Sequence, residues 1–239
     1  MEKMIQSMMK RFPLFIAMGF MIVFAALIIG AVNAGNAGSY YAVDKATRDS
    51  SADLAQIRAG IESITVWLPY FKFLGLAMIM AGIIMALGMI SLRLQELGKK
   101  VMDSVPERAR VALPPKPKSA TWMRMFMMLG MLIIIAGFIV SLSVASTASW
   151  VYSHPVVDID AAVAGSDSLA GLARVHAAEA WLEAFKFVGV AAFFLGIVYG
   201  LHTIVIALKF QRSAIPQVVE QLPAGARLHE QDPAPAAAG

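Results

Sequence analysis

Residues 73–92 read FLGLAMIMAGIIMALGMISL, an uncharged run in which glycine or alanine recurs every few positions. At about 1.5 Å per residue a helix over this run covers about 30 Å, the thickness of a bilayer's hydrocarbon core. Residues 13–34, 125–147 and 187–208 have the same character. None of the 20 Lys and Arg or 16 Asp and Glu residues falls inside any of the four stretches. Helices of a soluble bundle need polar outer faces, so a chain that is 59% hydrophobic and 15% charged, with charge banished from four long runs, reads as an all-α membrane protein with four transmembrane helices.

The basic residues set the expected orientation. Lys3, Lys10 and Arg11 precede span 1; Arg93, Lys99, Lys100, Arg108, Arg110 and Lys118 lie between spans 2 and 3; Lys209, Arg212 and Arg227 follow span 4. The other two connections hold few Lys or Arg and most of the acids, so the positive-inside rule places both termini in the cytoplasm, with a bacterial inner membrane as the expected location. The net charge of +4 then reports topology, and no nucleic-acid partner is expected. A basic start, an apolar run and Val32-Asn33-Ala34 also fit a cleaved signal peptide, but about 20 apolar residues exceed the usual core of such a signal.

The chain repeats itself at an offset of 114. Trp67, Leu68, Phe71, Lys72, Phe73, Gly75 and Ala77 recur as Trp181, Leu182, Phe185, Lys186, Phe187, Gly189 and Ala191, and the match continues through Gly82/Gly196, Leu87/Leu201 and Leu94/Leu208. An offset of 111 pairs Gly19/Gly130, Ile28/Ile139, Ala34/Ala145 and Tyr41/Tyr152. The expected architecture is therefore two tandem two-helix repeats, over 1–112 and 113–227, in the same orientation and related by a pseudo-twofold axis along the membrane normal. The low-complexity segment 228–239 is expected to be a disordered tail.

Small residues drive helix association in lipid, where the hydrophobic effect gives helices no reason to prefer each other over acyl chains. Gly75, Gly82 and Ala86 share a face of span 2, and Gly189, Gly196 and Gly200 the matching face of span 4, with Gly196 and Gly200 forming a GxxxG pair. Spans 2 and 4 are expected to touch, and the same faces equally suit contact with another subunit. Outside the membrane, Ser50-Ser51-Ala52-Asp53 signals a helix start, and Leu54, Ile57, Ile61, Ile64 and Leu68 continue it as an amphipathic helix ending near Trp67, ahead of Pro69. Its counterpart starts at Ser166 or Asp167 and, lacking a proline, can run into span 4. These helices are expected to lie on the outer interface or to cap the bundle, with Trp67, Tyr70, Trp150, Tyr152 and Trp181 in the aromatic belt and Lys72 and Lys186 reaching to headgroups.

Chemistry-bearing patterns are sparse. The chain has no phosphate loop, dinucleotide fingerprint or hydrolase motif, and without cysteine it has neither disulfide nor thiolate. His202 is the one ionisable residue within a span, read chiefly as a neutral histidine bonded to a neighbouring helix or carbonyl and otherwise as a partner-subunit contact or part of a proton path, with haem ligation beside Met85 or Met89 as a further reading. Met123, Met127 and Met131 form a stripe, as do Met78, Met85 and Met89; thioethers bind Cu(I), but methionine also fills irregular helix contacts. His176, Glu179 and Glu183 share a helical face, with His154 nearby, as a candidate divalent-metal set. No cofactor is expected. The leading expectation is a non-catalytic membrane subunit or scaffold that assembles with itself or with other membrane proteins. The alternatives are an oligomeric channel or exporter for a small solute and a copper- or haem-linked redox accessory protein.

Overall fold

A computed structural model describes residues 11–104 and 117–221. They form six helices: α1 Phe12–Tyr41, α2 Lys45–Ser50, α3 Ala52–Ser104, α4 Lys118–Tyr152, α5 Val156–Asp160 and α6 Asp167–Gln221. Helix is what lipid permits, because each peptide group in the hydrocarbon must find its partner within the chain. Four of the six, α1, α3, α4 and α6, are long and apolar enough to cross a membrane, so the chain is an all-helical protein suited to a bilayer. We call the side where α1 begins and α3 ends the basic end, and the opposite side the arm end.

The local signals account for where the helices begin. Pro13 occupies the first turn of α1, where its missing N–H costs nothing. The backbone N–H of Thr47 donates to the Asp44 carboxylate at 3.0 Å and caps α2. The Ser51 hydroxyl accepts from the Leu54 N–H at 3.3 Å, so the expected helix start falls at Ser51.

One expectation is overturned. The helix expected to stop near Trp67 instead passes through Pro69 and continues to Ser104, 53 residues in all. A proline inside a helix costs about 3 kcal/mol. It is flanked here by Leu68 and Tyr70, 6% and 4% exposed, and burying a large side chain is worth about 1.5–3 kcal/mol each. The tertiary contacts on both sides outweigh the broken hydrogen bond. The amphipathic segments pack over the end of α4 as continuations of the long helices. Residues 52–72 and 167–186 are rigid extensions of the spans, which we call the arms. At the basic end too, helix persists beyond residue 92, so Arg93, Lys99 and Lys100 stand on α3 rather than in a linker. The proline-rich segment 105–116 and the tail 228–239 lie outside the described residues.

The helices associate through backbone contact. α1 buries one narrow seam, Gly19, Ala26, Asn33 and Tyr40, spaced seven residues apart as in a left-handed coiled coil. A Cβ on Gly19 would sit 2.6 Å from the Gly75 carbonyl oxygen, and one on Gly82 would sit 2.5 Å from the Ile16 side chain. In the second hairpin a Cβ on Gly130 would meet the Gly189 carbonyl oxygen at 3.0 Å and the Phe193 ring at 2.8 Å. α4 packs on both α6 and α3, whereas α1 packs on α3 without a matching contact to α6. The expected pseudo-twofold arrangement is therefore corrected: a closed pair would carry both contacts. Between the hairpins the core is filled by Ile84, Ile134 and Phe193, each 1% exposed or less.

Gly19→Ala is expected to destabilise the bundle by about 1–3 kcal/mol, because the Gly75 carbonyl and the Ile79 N–H opposite are backbone and cannot yield. Gly35→Ala, which meets nothing within 4 Å, should be neutral or stabilising. Thermal unfolding of both variants in one detergent checks the difference.

Candidate functional site

The arms of α3 and α6 come together at the arm end over a small apolar core of Ala59, Val66, Ala148, Val151, Ile159 and Val175. Trp67 packs against this core, so it is a packing residue more than a headgroup anchor. On its edge gathers a cluster of ionisable side chains. The Arg58 guanidinium lies over the Tyr152 ring at 4.6 Å, and its Nη1 is buried without a hydrogen-bond partner among the described residues. Glu62 is half-buried, and that burial pushes its carboxyl above the ordinary glutamate value; Arg58 opposes the shift, Glu179 adds to it and His176 opposes it. The Tyr152 hydroxyl is likewise raised, first by burial, then by Glu62, against Arg58. Glu62, which stands at the repeat position of His176, thus senses that histidine across the two arms.

The candidate metal set is not gathered. His176 Nδ1 lies 3.7 Å from Glu179, but Glu183 turns to Lys186 at 3.3 Å. His154 Nδ1 points at the Trp150 carbonyl at 3.0 Å. A carbonyl only accepts, so this geometry calls for a proton on Nδ1. Among the described residues no three His, Asp or Glu side chains are placed to share a metal ion.

The two Phe-Lys-Phe sequences, alike on paper, part company in space. Lys72 is exposed, as a lysine reaching for headgroups would be. Lys186 is 12% exposed, its ammonium 5.4 Å from the Phe73 and Phe187 ring centres and paired with Glu183, so it is caged rather than snorkelling. Tyr70 and Tyr152, expected in an aromatic belt, are buried; the Tyr70 ring abuts Gly137 and its hydroxyl donates to the Leu182 carbonyl. Trp150 and Trp181 are each 47% exposed and fit the belt.

Within the spans, His202 faces out of the bundle. The inward polar group beside it is Thr203, 1% exposed, which donates to the Tyr199 carbonyl at 2.8 Å. A hydroxyl has one proton to give, so Ser119 is the donor in the 2.7 Å contact between Ser119 and Thr203. The expectation of His202 as an interhelical hydrogen-bond partner is thereby corrected by one residue. Of the small-residue positions, Gly75 and Gly82 receive α1, Gly189 receives Ile134, and Gly196 and Gly200 receive Ile84 and Leu87. Ala86 is half-exposed. Met85, Met127 and Met131 line an apolar groove of about 490 Å³ beside Phe15, while Met123 fills the core next to Gly200.

Sequence reasoning missed Ser119, Arg58 and the caging of Lys186. The Arg58–Glu62 spacing at i and i+4 is a legible signal for the second of these. Comparison with protein-family models, curated proteins and solved structures finds no match to this chain.

Because the carboxyl of folded Glu62 holds its proton more tightly than an exposed glutamate, its contribution to stability is full in acid and is lost as pH rises from the ordinary carboxylate range through the raised value. Glu62→Gln should flatten that loss. Unfolding temperature measured across this pH range, wild type against variant, checks it.

Proposed function

We propose that this chain is a non-catalytic subunit or scaffold of the bacterial inner membrane, built from two copies of one hairpin, with both termini cytoplasmic and the arms projecting outward. The observation that carries the reading is that α3 and α6 are unbroken across span and arm, over 53 and 55 residues. Twenty residues of arm amount to about 30 Å of rigid helix beyond the span, a length suited to holding something at a fixed height above a membrane. The repeat supports this: each hairpin closes at a matched glycine pair, Gly19 with Gly75 and Gly130 with Gly189. The tight fit within each hairpin leaves broad apolar surfaces, such as Phe20, Met21 and Phe24 on α1 and Phe194 and Val198 on α6, for lipid or protein.

Conduction through the chain itself has less in its favour. Ser141, 0% exposed, donates to the Phe138 carbonyl in its own helix, and Thr203 is engaged by Tyr199 and Ser119. These inward hydroxyls serve packing, which favours a solute path between chains over one within the chain. A redox role rests on His202 and the methionine stripes, and these point to different surroundings, lipid for the first and core or groove for the second.

Purification in mild detergent at native expression level, followed by mass spectrometry, is expected to return this chain in a stoichiometric assembly with itself or with other membrane proteins. A monodisperse particle of one chain would overturn the scaffold reading.

A further inference from the structure

We propose that copies of this chain assemble head to tail, the first hairpin of one copy, led by its α1, docking on the exposed seam of α6 of the next; this deepens the scaffold reading and rests on it. The argument begins with a face of α3. Ala59, Val66, Tyr70, Ala77, Ala81 and Ile84 are all buried, and each shares its cluster with α4: Ala59 and Val66 with Ala145 and Ala148, Tyr70 with Phe138, and the rest with Met123, beside residues of α6 and, at the basic end, of α1. Inside the chain, then, the second helix of one repeat receives the first helix of the next.

The offset of 114 carries those six positions to Ala173, Ala180, Ala184, Ala191, Leu195 and Val198 of α6, and every one is exposed. They fall three, four or seven residues apart, a straight seam for a partner helix. The complementary half is open as well. On α4, Met131, Phe138, Ala145 and Tyr152 are buried or half-buried. The offset of 111 carries them to Phe20, Leu27, Ala34 and Tyr41 of α1, again all exposed. The chain thus presents at its two ends the two halves of an interface that it already makes once in its middle.

Lipid covers any apolar face, but lipid does not require that both halves of an existing interface be left open at once. A second copy does. Alanine at four of the six α6 positions, where α3 has Ala, Val, Tyr and Ala, lets an incoming helix approach more closely than α4 approaches α3. The contact joins unlike surfaces, so each added copy leaves its own α6 seam free, and the assembly grows until it closes as a ring or continues as a filament in the plane of the membrane.

The chain has no cysteine, which makes the test direct. Within the chain, Phe138 of α4 packs on Phe71 of α3 with ring centres 6.0 Å apart, and the equivalent positions are Leu27 and Phe185. Leu27→Cys and Ala184→Cys combined in one chain, treated with a short bis-maleimide in native membranes, are expected to give a ladder of dimer, trimer and higher species. Each single variant should remain monomeric. Phe20→Cys with Leu195→Cys, the equivalents of Met131 and Ala81 that line one groove within the chain, supplies a second pair, and adding Ala191→Trp should cut crosslinking at least tenfold without changing the unfolding temperature, since that side chain is exposed. No ladder from either pair, or dimers from a single variant alone, overturns head-to-tail assembly. If the Ala184→Cys variant is instead linked to a different membrane protein, this inference fails and the scaffold reading stands; if nothing is linked and the particle holds one chain, both fail.

Discussion

Everything in this fold depends on how closely two helix backbones approach in a solvent that offers them no hydrogen bonds. In lipid the peptide groups are already satisfied along each helix, so association has to come from dispersion contact, and dispersion falls away within an ångström of gap. Gly19 and Gly75 put carbonyl oxygens where a Cβ would otherwise stand; in the second hairpin the Gly189 carbonyl does so at Gly130, while Gly189 itself receives the Ile134 side chain. The narrow seam of α1 follows from this. With only Gly19, Ala26, Asn33 and Tyr40 buried, α1 holds to α3 by fit along one line, and the rest of its surface is left to its surroundings.

The close approach also explains how the arms stand without a joint. Once the spans are fixed, Tyr70 is pinned between Gly137 and the Leu182 carbonyl, and Leu68 is buried one residue before Pro69. The helix has no freedom to break at the proline. Above it, burial and charge act on one another: Arg58, Glu62, His176 and Glu179 share a half-buried edge where the other three act on the protonation of Glu62. The arm end is consequently where internal contacts answer to pH through Glu62.

The four spans were legible because charge exclusion over about 20 residues has one physical meaning. The small-residue faces were legible as faces, since helical spacing is a property of one segment. Their partners were not. Gly75 and Gly82 meeting α1, and Gly196 meeting Ile84, depend on the rotation of each helix about its axis, which only the neighbours fix. The same ignorance of rotation turned His202 outward and brought Thr203 in, and it separated Lys72 from Lys186 although their sequences match. Pro69 misled for a different reason: a local cost of known size was overruled by burial that no local pattern reports.

The height of the arms, the placement of Glu62 against His176 and the alignment of the α6 seam all depend on α3 being one rigid body from arm to basic end. Spin labels at Ile57→Cys and Arg93→Cys, both exposed and on the same helical face, measure it directly by pulsed electron resonance in bilayers. About thirty-six residues of continuous helix predict a single narrow distance near ~54 Å. A broad or distinctly shorter distribution would show a hinge at Pro69 and contradict it.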